Sequence, residues 1–183
     1  MAETQILRPT GINTRDSSYS GWPNQLANCY KNVNEATKNE TNYNCVGFNQ
    51  TQSVLYTLET YSGSDAISQI TLNGYYKVVN TGEVSGDAIA QARFRIKTGG
   101  TIYEDSFFNP DTSAYTLYTK VYTTNPKTGN PWSAAEVNAL AAGDSLQSIW
   151  TDALNYSRSY CCQFWVTVVE AVVESGGNFF LVM

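Results

Sequence analysis

The chain has 183 residues, with 11 basic against 16 acidic side chains, 13 tyrosines, 4 tryptophans, 4 cysteines and no histidine. Without histidine there is no Ser-His-Asp or Cys-His nucleophile system and no histidine-ligated zinc or iron site. An overall charge of −5 does not attract polyphosphate, so nucleic acid is not an expected partner, and a chain rich in aromatic residues, Thr and Val with only 15% charged residues favours strands over helices.

The opening "AETQILRPTGINT" holds an isolated apolar pair, Ile6 and Leu7, before Pro9 interrupts regular structure. It reads as an N-terminal arm over 1–12, or as an edge strand. No basic n-region with an apolar run follows the first residue, and no apolar run reaches the roughly 20 residues that cross a bilayer. A soluble protein with no secretion signal and no membrane partner is expected. Residues 13–50 are rich in Asn, Ser, Thr and Gly with few periodic apolar positions, and make an ordered or a poorly ordered lead-in.

From Thr51 the pattern becomes that of strands: 53–61, 68–80, 88–98, 101–108, 115–124 and 160–173, separated by clusters with turn chemistry. The clearest is "AIAQARFRIKT", with Ala90, Ala92, Phe94 and Ile96 on one face and Gln91, Arg93, Arg95 and Lys97 on the other. In the last strand Cys162, Phe164, Val166 and Val168 share one face and Trp165 and Thr167 take the other. One helix interrupts the series: Ser133 and Glu136 form a capping box before "AAEVNALAAG", and Gly143 is expected to close it. Val137 and Leu140 on that helix would seal one end of the core.

Chemistry is sparse. Glu59, Glu104, Asp105, Glu170 and Glu174 lie on or near strands, but nothing pairs one with another as a glycosidase requires; they read as solvated faces and ends, with the last strand leaving the core at Glu170. The row Arg93, Arg95, Lys97 reads as a water-facing surface paired with acids, the alternative being an anion-binding stripe. Asp65, Asp87 and Asp111 sit in turns without the spacing of a calcium loop. Tyr75, Tyr76, Tyr115, Tyr118 and Tyr122 suit cross-strand packing, or a platform for sugars. Cys29, Cys45, Cys161 and Cys162 match no zinc spacing and read as reduced, small apolar fillers, with a Cys29–Cys45 disulfide as the alternative. No metal and no cofactor is expected.

Two stretches, "RPTGINT…GW…CYKNVNEATKNETNY" (8–43) and "TNPKTGNPWSAAEVNALAAGDSL" (124–146), resemble a known family, the jelly-roll β-sandwich virion proteins of tailed phages and prophages. The resemblance covers about residues 6–173; Asn42 stands where an acid is common in the family. It implies an all-β, antiparallel jelly-roll-like β-sandwich with one short helix before the last strand. It also implies assembly without catalysis, in a virion made in the host cytoplasm. The expected role is a capsid decoration or cement protein contacting copies of itself and a major capsid or neck/tail protein. The alternative is a carbohydrate- or receptor-binding module of a tail or fibre, using exposed tyrosines and Trp132 or Trp150.

The sandwich is expected over 13–174, followed by an apolar tail over 175–183, "SGGNFFLVM". Phe179, Phe180, Leu181, Val182 and Met183 would together expose roughly a few hundred Å² of apolar area. With Ile6 and Leu7 they form the expected partner interface, reaching over a neighbouring subunit. The alternative is that the tail folds back onto its own sandwich.

Overall fold

A computed structural model of the chain describes residues 3–16, 20–22, 26–46, 49–64, 66–81, 89–149 and 156–171. The segment 3–16 holds two strands, β1 (Thr4–Leu7) and β2 (Pro9–Arg15); β3 (Ser20–Trp22), a 3-10 turn (Leu26–Asn32) and β4 (Tyr43–Cys45) follow. The long strands are β5 (Gln50–Leu58), β6 (Ile67–Thr81), β7 (Ile89–Thr98), β9 (Thr116–Tyr122), β10 (Ala141–Ile149) and β11 (Tyr156–Glu170), with the short β8 (Thr101–Glu104) after β7. One helix, α1 (Ala134–Asn138), precedes β10.

All pairings are antiparallel. One sheet runs β3-β4-β11-β6-β9, with β1 also on β11; the other runs β2-β5-β10-β7-β8. From β5 to β7, and again from β9 to β11, the chain changes sheet at each strand, wrapping the core as an all-β, jelly-roll-like sandwich. The β7–β8 hairpin turns on Gly99 and Gly100, both at positive φ (53° and 79°), the conformation a tight hairpin needs and glycine adopts without strain.

The core lies between the sheets. Alternation in β7 buries Ala92, Phe94 and Ile96 as read from the sequence. Tyr76 and Phe164 are fully buried, and Tyr76 meets Phe94, Phe108 and Tyr118 edge-on at 5.3–6.2 Å. Gly74 makes this possible, since a methyl group there would overlap the Tyr76 ring. Val137 and Leu140 join the same core.

Several expectations are corrected. The capping box forms, with Ser133 and Glu136 bonded reciprocally, but the helix ends at Asn138 with Ala139 as its C-cap. Gly143 instead lies in the middle of β10, where a Cβ would strike the Val54 carbonyl of β5. Two strands, β10 and β11, follow the helix. In β11 the register skips between Cys161 and Gln163. This bulge shifts the phase, so Cys161 enters the core and Cys162 leaves that face. Both thiols are fully buried. The arm is part of the sandwich: β1 pairs with β11 of one sheet and β2 with β5 of the other. Leu7 is therefore buried in its own core, while Ile6, one residue earlier on the opposite face, is 41% exposed.

Candidate functional site

Alternation along β6 and β11 sends one face of each strand inward and leaves the other outside. On the outer face Tyr75 sits across from Gln163, and Trp165 across from Asn73. The two aromatics are diagonal neighbours, within reach of each other for large rings, with centroids 5.9 Å apart and planes inclined by 37°. They floor a groove of about 390 Å³, within the range of small-ligand sites.

The wall comes from the segment after the 3-10 turn. The Val33 carbonyl accepts the Phe164 N–H (2.9 Å), filling the gap along β11 between β1 and β4. Gln163 Nε2 donates to the Glu35 carbonyl at 2.7 Å. These bonds hold Ala36, Thr37 and Lys38 over the aromatic floor. Lys38 Nζ lies 5.1 Å from the Tyr75 ring centre and 2.7 Å from Glu40 Oε1. Hydrogen bonding to Glu40 holds the Lys38 pKa above its ordinary value. Ile6 and Arg8 complete the lining. Arg8 is the residue at which the chain crosses between the sheets, and its backbone is fixed twice: its N–H donates to Glu59 Oε2 and its carbonyl accepts the Glu59 N–H, both at 2.9 Å.

The residues singled out from the sequence are dispersed. Glu104 is held by Arg93 (2.6 Å) and Arg95 (2.8 Å), so this row is a paired surface and not an anion stripe; Lys97 donates to Asn13. Asp105 pairs with Lys120 at 2.6 Å and accepts the Tyr122 hydroxyl. Glu59 serves the Arg8 crossing. Glu170 does not lead the strand out of the core: it is 5% exposed and accepts the Tyr61 hydroxyl. Asp111 caps its own turn through Ser113. Asp65, Asp87, Trp150, Glu174 and the tail residues Phe179, Phe180, Leu181, Val182 and Met183 lie outside the described residues.

The expected tyrosine platform divides. Tyr76 is core, Tyr115 is buried under Lys77, Tyr118 stacks on Phe108 at 4.4 Å, and Tyr75 alone of the five lines the groove. Trp132 is also withdrawn, 3% exposed with its indole N–H given to the Tyr122 carbonyl. Trp165, Arg8 and Lys38 were not singled out as binding residues. The available signal was Trp165 itself, a large aromatic on the face opposite Phe164 and Val166.

None of the four cysteines is in a disulfide. Burial pushes the Cys29 thiol up to about 11 and the Cys162 thiol up to about 12, and raises Cys161 well above its ordinary value. These three are protonated at neutral pH and poor nucleophiles. Among the described residues no group of three or more Cys, Asp or Glu could hold a metal ion, and no helix is long and apolar enough to cross a membrane.

No family model and no curated protein matches the chain. Among solved structures, a mutant family 29 carbohydrate-binding module in complex with mannohexaose is similar at 13% identity and a TM-score of 0.38, over 92% of each chain. A structure of infectious bursal disease virus, Gx strain, is similar at 9% identity and a TM-score of 0.24, over 95% of this chain and 37% of that one.

Proposed function

We propose that the protein is a non-catalytic binding module of a phage virion that takes a glycan on the outer face of its six-stranded sheet. The observation that carries this reading is the groove floored by Tyr75 and Trp165. Two adjacent rings on a rigid sheet offer apolar faces to the C–H side of a sugar, while Thr37, Lys38 and Arg8 stand at the rim where ring hydroxyls would lie. The absence of histidine and the separate engagement of Glu59, Glu104, Asp105 and Glu170 support binding over hydrolysis. The virion assignment is supported by the resemblance over residues 8–43 and 124–146.

A glycan array probed with the wild-type protein and with Trp165→Ala tests the reading. Retention of a saccharide class by the wild type, lost in the variant at a melting temperature within about 4 °C of the wild type, is expected. An array that retains nothing, or equal retention by both proteins, would overturn it.

A capsid decoration role is favoured by a different observation. The edge strand β9 carries exposed Leu117 and Val121, suited to contact with a neighbouring virion protein. Electron microscopy of particles distinguishes the two: a decoration protein buries β9 against the shell or another copy, whereas a receptor-binding module leaves the Tyr75–Trp165 face open.

A further inference from the structure

The four ion pairs among the described residues join Lys38 to Glu40, Arg93 and Arg95 to Glu104, and Lys120 to Asp105. Arg8 is in none of them. Glu59 directs its carboxylate at the Arg8 amide, not at the guanidinium, and no hydrogen bond from a described residue reaches that side chain. Arg8 nevertheless lines the groove on a backbone pinned from both sides. The lining contains two cations and no carboxylate, in a chain whose net charge is −5. Lys38 is already matched by Glu40, so among the described residues Arg8 is the groove-lining cation without a matching carboxylate.

Resting on the glycan reading above, the geometry points to a carboxylate-bearing saccharide, a uronate or a sialate, as the ligand of this groove, with Arg8 as its anchor. A guanidinium presents a planar pair of donors that matches a carboxylate in a two-point contact. Trp165 and Tyr75 take the apolar face of the ring, and Arg8 selects the charged substituent. Lys38 contributes less, because ligand must compete there with Glu40.

The test is calorimetric titration of the full chain with two matched pairs: trigalacturonate against its methyl ester, and 3′-sialyllactose against its carboxyl methyl ester. The acidic member of at least one pair is expected to bind about tenfold to a hundredfold tighter than its neutral partner, the span of one charge-assisted hydrogen-bonded contact. Which pair shows the preference separates uronate from sialate. Arg8→Gln should abolish the preference, bringing the acidic member down to the affinity of its neutral partner; Arg8→Lys should restore part of it, and Lys38→Gln should reduce it less than Arg8→Gln. If acidic and neutral members bind equally and Trp165→Ala weakens both, the charge selection is wrong and the glycan reading stands. If no member of either pair binds and the array retains nothing, both fail. An acid preference that survives Arg8→Gln would overturn the role of Arg8.

Discussion

Strands β6 and β11 carry aromatic side chains on both faces, and the two faces differ. Inward, Tyr76 and Phe164 are fully buried and interlock with Phe94 and Phe108 across the sandwich. Outward, Tyr75 and Trp165 meet each other and the 36–38 wall but belong to no core cluster. Residues of the same chemistry on the same strands therefore have separable roles. The inner rings hold the fold, and the outer rings are available for a ligand.

The separation can be broken most directly from inside. Phe164→Ala removes a fully buried ring and should cost about 3–5 kcal/mol, read as a shift in the denaturation midpoint. Gly74→Ala pushes a methyl group into the Tyr76 ring and should cost up to about 3 kcal/mol; tolerance of that change would mean the inner face is loosely packed. A third perturbation is alkali. The Cys29 thiol titrates near 9 when unfolded and is pushed to about 11 by burial when folded. Between those values the folded state binds the extra proton, so stability falls as pH rises, by on the order of 2 kcal/mol at pH 10.5. It is fully retained below pH 9. Comparing wild type with Cys29→Ala at pH 7 and 10.5 checks the sign, because the variant should lose that part of the slope. The smallest effect is expected outside: Trp165→Ala should change stability by about 1 kcal/mol or less while removing glycan binding. A large loss of stability there would merge the two faces into one structural unit.

Strands are legible in the sequence where side chains follow a simple period and illegible where they do not. Strand β7 was legible because large apolar and charged residues alternate without interruption. Of strand β10, "AAGDSLQSI", the first three residues read as the end of a helix and the rest as no element, because Ala, Gly, Asp and Ser carry no strand signature. It is nonetheless a central strand, with Asp144 buried beside the Tyr76 hydroxyl and Ser145 bonded to Ser53 at 2.8 Å. The region over 26–46 was equally obscure for a related reason. Its organising side chains are buried asparagines: Asn32 donates to Asn44 at 3.0 Å, and Asn44 donates to the Tyr56 hydroxyl at 2.9 Å. Hydrogen-bonded polar interiors leave no hydrophobic period to find. The bulge at Cys162 likewise has no signal in the sequence, and it reverses the expected faces of the two thiols.

The candidate site was half visible. Trp165 and Tyr75 could be placed on the outer face by alternation alone. Their company could not, because Lys38 and Arg8 reach the groove through long-range contacts: the Val33–Phe164 and Glu35–Gln163 hydrogen bonds, and the Arg8–Glu59 clamp. Ile6 and Leu7 show the same limit at one-residue scale. Both were assigned to a partner, yet docking of β1 on β11 sends Leu7 into the core and leaves only Ile6 outside.

The central claim is that the outer face of β6 and β11 binds a saccharide, and tryptophan indole N–H resonances report on it residue by residue. On titration of the ¹⁵N-labelled protein with trigalacturonate and with 3′-sialyllactose, the Trp165 indole signal should move saturably with at least one of them. The Trp132 signal, held by the Tyr122 carbonyl inside the fold, should stay in place. A Trp165 signal unmoved by both, or movement confined to the other indoles, would contradict the account.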